Sequence, residues 1–334
     1  MFELHAAIGL VGGGAGGLRR RVGVFAAAGL VAFGAGCQRA EAPDGAREPG
    51  PMRVVVSVPP LAGLVRALLP EDADVRSVVQ AGQSPHTYEP RPEDLAALAR
   101  ADLIVVVGLG MESMIPAASL DTARTLVMAD ALGISAPDGG EHGAGGDHAH
   151  EGHEHGHGGA EPHLWLDPVL VERFVPALGE RVRGALQDAA GEAPAIAALD
   201  QREADLLARV REVDRQYRAR LAPFAGGAII TQHAAWSRLA ERYGLGVAGV
   251  IQEAESVEPP AGHIAELIET AAAQRVGGIF SEPQLDRTIA GRLGEQLGIP
   301  VGILDPEGGG DWSAMMLANL DELVRVLGGG RGGG

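Results

Sequence analysis

The sequence predicts an α/β protein of two lobes, each with a mostly parallel sheet of about four strands, joined by a long backbone α-helix. Short continuous apolar runs alternate with amphipathic helical stretches, as in a parallel sheet covered on both faces. This alternation occurs twice, before and after a long charged helical segment. The length of 334 residues fits two domains of ordinary size.

The individual elements follow from the apolar pattern. The predicted strands are residues 54–58, 75–80, 103–107 and 126–129 in the first lobe and 228–231, 247–250, 278–280 and 301–304 in the second. Apolar residues recur at helical spacing along one face of the long segment, at Leu199, Leu206, Val210, Val213, Tyr217 and Leu221. We therefore expect an N-terminal lobe at 53–190, a linking helix at 191–222, a C-terminal lobe at 223–328 and a disordered tail at 329–334.

The N-terminal region has the pattern of an export signal. Three arginines at 19–21 precede an apolar run at 22–35 that is too short to span a bilayer, and the single cysteine, Cys37, follows. This order resembles a lipoprotein signal at 1–36, with lipidation at Cys37 and a flexible Pro- and Gly-rich tether at 37–52. A plain secretory signal or a membrane anchor is the alternative. Either signal predicts an exported protein, in the periplasm or on the outer face of the cell membrane.

Charge excludes one class of partner. The formal net charge of −17 repels phosphate backbones, so nucleic acid is not expected as a partner.

Histidines at the ends of predicted strands are the candidate metal ligands. His86 follows a predicted strand, His163 follows the histidine-rich loop, and His233 lies between a predicted strand and a predicted helix. All three positions are interpreted as strand-to-helix turns, and Asp305 follows the last strand with Pro306 after it. Ligands of open α/β sheets bind at such turns. Three imidazoles and one carboxylate match the preference of Zn²⁺ for four N and O ligands, although a single histidine at a strand end is more often a structural hydrogen-bonding residue.

Four further residues near these motifs have expected roles. Glu282 also follows a strand, and we expect it to orient a ligand histidine, with a surface carboxylate as the alternative. Glu89 and Asp167 are expected to cap or orient their turns. His263 falls inside a predicted helix and is expected to be structural.

A histidine-rich loop at 138–160 interrupts the first lobe. It has no apolar periodicity and carries six histidines on a Gly-rich, acidic background: His142, His148, His150, His153, His155 and His157. Ordering such a chain around a metal has an entropic cost, so the loop should provide weak, exchangeable accessory sites. An inert spacer is the alternative.

Four stretches resemble a known family: SPHTYEPRPEDLAALARADLIVVVGLGME, PHLWLDP, HAAWSRLAERYGL and SEPQLDRTIAGRLGEQLGIPVGILDPEG. They are similar to the zinc and manganese solute-binding proteins of bacterial ABC importers, the ZnuA-like group (family 9), over about residues 53–326. The resemblance implies two lobes joined by a rigid helix, with the metal bound between them by His86, His163, His233 and Asp305. One departure is TQHAAW, where relatives often carry an aspartate after the histidine.

The resemblance also implies a function. The chain is expected to be a monomeric zinc receptor, not an enzyme, that carries Zn²⁺ as cargo to an ABC permease and its ATPase while a lipid at Cys37 holds it at the membrane. Histidine at position 233, where manganese-type members usually have glutamate, favours zinc, and Mn²⁺ is the alternative cargo. A three-histidine zinc hydrolase with Glu282 as general base and an adhesin-like lipoprotein are the alternatives from other classes.

Overall fold

The computed structural model describes residues 51–135, 161–188, 193–253 and 257–329. The predicted signal, nearly all of the tether, Cys37 and the whole histidine-rich loop lie outside these residues. Residues 49–334 group into one compact unit.

The N-terminal lobe contains a four-stranded parallel sheet in the order β2-β1-β3-β4. Its strands are β1 Arg53–Val56, β2 Asp74–Ser77, β3 Leu103–Val106 and β4 Thr125–Val127. Its helices are α1 Pro59–Leu68, α2 Pro92–Arg100, α3 Met128–Leu132 and α4 Pro168–Asp188. Buried valines and isoleucines fill β1 and β3 along their length, as expected for strands covered on both faces.

The linking helix is α5, Ala193–Leu221. It packs on α1 and α4 of the first lobe and on α9 of the second. All six residues of its predicted apolar face are buried, and the Tyr217 hydroxyl donates a hydrogen bond to the Met316 carbonyl at 2.7 Å. The long helix therefore contacts both lobes along its apolar face.

The C-terminal lobe repeats the strand order of the first, with a parallel sheet in the order β6-β5-β7-β8. Its strands are β5 Ala228–Thr231, β6 Gly246–Val250, β7 Val276–Ser281 and β8 Val301–Ile303. Its helices are α6 Ser237–Arg242, α7 Ala261–Gln274, α8 Thr288–Leu297 and α9 Trp312–Gly329. In each sheet the second strand lies on one side of the first strand and the third strand lies on the other, so the strand order reverses beside β1 and beside β5. In open α/β sheets, ligand crevices lie outside the carboxyl ends of the strands at such points.

The predicted fold class is confirmed, and two local expectations are wrong. No strand precedes His163 in the described residues, where it follows Glu161 and Pro162 and leads through a short 3₁₀ turn into α4. The tail was expected to start at 329, but Gly329 still belongs to α9. In addition, α4 was not predicted as a helix of its own. Its interior Pro176 obscured it, and packing of its apolar face against α5 stabilises it.

The two lobes share one hydrophobic core. A continuous cluster runs from β1 and β3 through α4, α5 and α9 to Trp236 and Phe280 of the second lobe, and a smaller cluster lies around α7 and α8. Backbones also approach closely, since a Cβ at Gly63 of α1 would come within 2.7 Å of the Trp312 nitrogen. Among the described helices, none is both long and apolar enough to cross a bilayer.

Candidate metal centre

Three histidines from three separate turns meet between the lobes. His86 lies in the connection from β2 to α2, where its backbone N–H donates to Ser84 Oγ at 3.1 Å. His163 precedes α4, and His233 follows β5 by two residues. His163 and His233 are buried, whereas His86 is exposed, so the cluster is accessible from the side of His86.

The ring nitrogens are spaced as zinc ligands are. His163 Nε2 is 3.2 Å from His86 Nε2 and 3.2 Å from His233 Nε2, and the ligand atoms of all three lie within 4.8 Å of one another. Tetrahedral ligands at about 2.0–2.1 Å from Zn²⁺ are about 3.3–3.4 Å apart. One proton on His163 Nε2 can satisfy only one of its two neighbours, whereas a cation can accept all three lone pairs. The residues therefore fit a metal ion.

The electrostatics keep His163 neutral. Burial lowers the pKa of His163 well below its usual value, and positive charge on His233 or His86 would lower it further. Only a neutral imidazole can bind a metal, so this histidine is ready to coordinate in mild acid. Its Nδ1 atom is buried and has no hydrogen-bond partner among the described residues.

Glu282 lies against Nδ1 of His233, the ring nitrogen that is not part of the Nε2 cluster. Its Oε1 atom lies 2.6 Å from His233 Nδ1 and also accepts a hydrogen bond from Trp236 Nε1 at 3.0 Å. A proton on Nδ1, donated to this carboxylate, leaves the Nε2 lone pair free for the metal. Glu282 is itself buried.

Asp305 lies apart from the histidine group. Its Oδ1 atom accepts hydrogen bonds from Gln284 Nε2 at 2.7 Å and from the backbone N–H groups of Glu307 and Gly308 at 3.0 Å each. The Asn319 side chain bonds to both the N–H and the carbonyl of Asp305 at 2.8 Å. The predicted fourth ligand is thus fixed at the end of β8, and its coordination to a metal stays a prediction.

A small cavity lies among these side chains. It has a volume of about 10 Å³ and is lined by the three histidines, Glu282, Gln284 and Glu307 among others. This is close to the space that one water molecule needs, so the cavity can hold a single ion. Gln284 and Glu307 were not among the predicted site residues, although SEPQ and LDPEG lie at strand ends and could have indicated them.

Polar contacts join the His163 turn to the second lobe. Trp165 Nε1 donates to the Pro306 carbonyl at 2.7 Å, and Trp312 Nε1 donates to the Trp165 carbonyl at 2.8 Å. Arg242 donates from Nε to both oxygens of buried Asp167, at 2.9 and 3.0 Å. Asp167 also caps α4 by accepting the Val169 N–H at 3.0 Å. These contacts fix the position of His163 relative to His233.

His263 does not belong to the histidine cluster. His263 is in α7, as expected, and its Nε2 lies 2.8 Å from the Val250 carbonyl, so it has a structural role. The six histidines of the loop at 138–160 and Cys37 lie outside the described residues.

Together, the fold and the cluster define a two-lobed α/β protein with a candidate metal site in the cleft between its lobes. A family model described as "ZnuA: Zinc-uptake complex component A periplasmic" matches residues 54–326. The chain belongs to this family, which confirms the resemblance noted in the sequence. The family consists of solute-binding receptors for transport.

Relatives with curated names agree. The chain is 26% identical over 319 residues to the "High-affinity zinc uptake system protein ZnuA" of Bacillus subtilis, covering 91% of this chain and 97% of the relative. It is 25% identical over 288 residues to the "Zinc-binding lipoprotein AdcA" of Streptococcus pneumoniae, covering 83% of this chain and 56% of that protein. The chain therefore spans little more than half the length of the AdcA relatives.

Solved structures show the same fold. A crystal structure of ZnuA matches with a TM-score of 0.66 and 25% identity, covering 83% of this chain and 99% of that one. The periplasmic zinc-binding protein TroA of Treponema pallidum matches with a TM-score of 0.66 at 20% identity, again covering 83% and 99%. The second likeness concerns the fold alone.

Proposed function

We propose that this protein is an extracytoplasmic zinc receptor of an ABC importer. It captures Zn²⁺ between its lobes and delivers the ion to the membrane permease. The observation that carries this proposal is the convergence of the Nε2 atoms of His86, His163 and His233. Membership of the family and the names of the zinc-binding relatives support it.

The ligand set favours zinc as cargo. Three imidazole nitrogens suit Zn²⁺ better than Mn²⁺, which prefers oxygen ligands. Asp305 is the proposed fourth ligand, and a fully protein-ligated ion has no open position for an activated water. Mn²⁺ is the second candidate cargo, because selectivity also depends on geometry and availability.

The surroundings of Glu282 favour a receptor over a hydrolase. A general base has to reach a metal-bound water, yet the described contacts of Glu282 are on the Nδ1 side of His233 and with Trp236. Glu282 therefore serves to orient His233, and this role supports a receptor rather than an enzyme.

The other parts of the proposal concern the cell envelope. The receptor is exported, and a lipid at Cys37 holds it near the membrane, where it meets the permease and its ATPase as a monomer. The six histidines of the loop at 138–160 bind zinc weakly beside the tight site. The signal pattern before Cys37, the histidine content of the loop and membership of the family support these parts of the proposal.

The decisive experiment measures metal binding by the purified chain from Cys37 onward. Zn²⁺ and Mn²⁺ are titrated in competition against a chelating indicator for the parent, His163→Ala, His233→Ala and His263→Ala. We expect one tight zinc site in the parent and in His263→Ala, whose histidine bonds only to the Val250 carbonyl in the described residues. The two cluster variants should lose at least a hundredfold in zinc affinity.

Two results would contradict the proposal. Undiminished zinc binding in His163→Ala and His233→Ala would show that the cluster is not the site. Preferential retention of Mn²⁺ by the parent would overturn the assignment of the cargo.

A further inference from the structure

Gln284 lies between the small metal cavity and a much larger open one. The larger cavity, which we name the vestibule, has a volume of about 530 Å³ and is lined by Gln83, Tyr88 and Glu89 among others. Ser84 and Gln284 line both cavities. An ion that reaches the histidines from the vestibule therefore passes these two side chains.

The amide nitrogen of Gln284 has a hydrogen-bond partner, whereas its amide oxygen has none among the described residues. Its Nε2 donates to Asp305 Oδ1 at 2.7 Å, while its Oε1 is buried and has no hydrogen-bond partner among the described residues. A flip of the amide would place Oε1 against the carboxylate, acceptor against acceptor, so Asp305 fixes this orientation. Burial of an unpaired carbonyl is unfavourable.

The hydrogen bonds at Asp305 decide which oxygen remains for a cation. Oδ1 accepts three of them, from Gln284 and from the backbone N–H groups of Glu307 and Gly308. No described donor is bonded to Oδ2. The two backbone donors belong to the turn after Pro306, so among the described residues Gln284 is the only side chain that donates to Oδ1.

We propose that Gln284 positions Asp305 as the fourth ligand. Its Nε2–H group holds Oδ1 in place so that Oδ2 is presented to the cation, and its Oε1 accepts a hydrogen bond from the water that accompanies the ion out of the vestibule. The inference rests on the proposed function, because it assigns a role toward the same zinc ion. Gln284 acts through Asp305 and is a positioning residue, not a ligand.

The test uses the chain from Cys37 onward and Zn²⁺ itself as the probe. Gln284→Met keeps the length of the side chain but removes the donor. We expect zinc to bind about ten- to a hundredfold more weakly, as for other residues that orient metal ligands. Gln83→Met is the matched control, because Gln83 lines the same vestibule but accepts its described hydrogen bond from the Gln80 N–H, and it should bind zinc as the parent does.

A double-mutant cycle separates positioning from a general structural effect. Asp305→Ala should lose more affinity than Gln284→Met, and the double variant should bind no more weakly than Asp305→Ala alone, since Gln284 then has nothing to position. Thermal unfolding of each metal-free variant checks that it is folded. If Gln284→Met does not fold, Gln284→Asn replaces it, because the amide is retained but one methylene too short to reach Oδ1.

Each adverse result has a distinct meaning. Parent-like zinc affinity in Gln284→Met would overturn the inference, as would the same loss appearing again in the Asp305→Ala background. Parent-like zinc affinity in Asp305→Ala would also overturn the inference, because Asp305 would then not be a ligand. His163→Ala would still test the three-histidine site separately. Failure of the parent to bind zinc tightly would instead overturn the proposed function.

Discussion

Replacement of Arg242 by methionine tests whether the ion pair between the His163 turn and α6 holds the two lobes together. Asp167 is completely buried, and Arg242 donates from Nε to both of its oxygens and from Nη2 to Oδ2. In Arg242→Met the Asp167 carboxylate keeps only the Val169 N–H among its described partners. The substitution leaves a buried charge without its counterion.

The expected loss is large. Removal of one partner of a buried pair costs about 3–5 kcal/mol. The Arg242 side chain is 31% exposed, so water can screen part of the effect and we expect about 3 kcal/mol. For a protein of this size that corresponds to a fall in Tm of about 6–12 °C.

Urea unfolding followed by circular dichroism, together with thermal unfolding, measures the loss. Arg325→Met is the matched control, because Arg325 also binds a carboxylate through two nitrogens, that of Glu322, but its side chain is 59% exposed. Such surface pairs contribute about 0–1 kcal/mol. Equal losses in the two variants, or less than about 1 kcal/mol for Arg242→Met, would refute the reasoning.

Three further predictions concern pH, packing and the loop. Because the pKa of His163 is held below its ordinary value of 6.5, the unfolded chain takes up a proton in mild acid that the native metal-free protein does not. Urea unfolding should therefore show stability falling as the pH drops below about 6.5, and His163→Ala should lose this component; an unchanged pH dependence in that variant would contradict it. Gly63→Ala should destabilise the protein by about 1–3 kcal/mol, since its Cβ would press on the Trp312 backbone, whereas Gly184→Ala in α4 meets no atom within 4 Å and should not lower Tm. Deletion of 141–159 should reduce the zinc stoichiometry in calorimetry and leave one tight site, and loss of that site would show that the loop is part of it.

The strands were predictable because their apolar runs are local signals. All eight predicted strands are present, and residues 228–231 match β5. The first sheet shows the limit of such signals. Strand β2 ends at Ser77, although Val78 and Val79 still donate hydrogen bonds to the first strand and its extension. Boundaries depend on pairing partners that the sequence pattern does not contain.

Helix α4 was missed for a reason visible in its residues. Leu170, Phe174, Leu178 and Val182 recur every four residues and are all buried, which is the pattern of one helical face. Pro176 lies inside the helix, and an interior proline normally interrupts one. Packing against α5 outweighs that penalty, and only the tertiary structure reveals it.

The candidate site was predictable in its members but not in its contacts. Position after a strand singled out His233, Glu282 and Asp305 because open α/β sheets bind ligands there. The same reasoning did not indicate that Gln284 would bond to Asp305 or that Arg242 would bond to Asp167. Such pairs come from segments far apart in the chain, and no local pattern encodes them.

The sequence by itself determined the two α/β lobes, the linking helix and the residue types that a zinc ion requires, because hydrophobic periodicity and turn residues act over short stretches of chain. The tertiary structure decided that His86 and His163, 77 residues apart, and His163 and His233, 70 residues apart, bring their Nε2 atoms within 3.2 Å. Distances of that accuracy arise only when buried contacts between the lobes, such as those of Trp165 and Arg242, fix the turns against the conformational entropy of the chain.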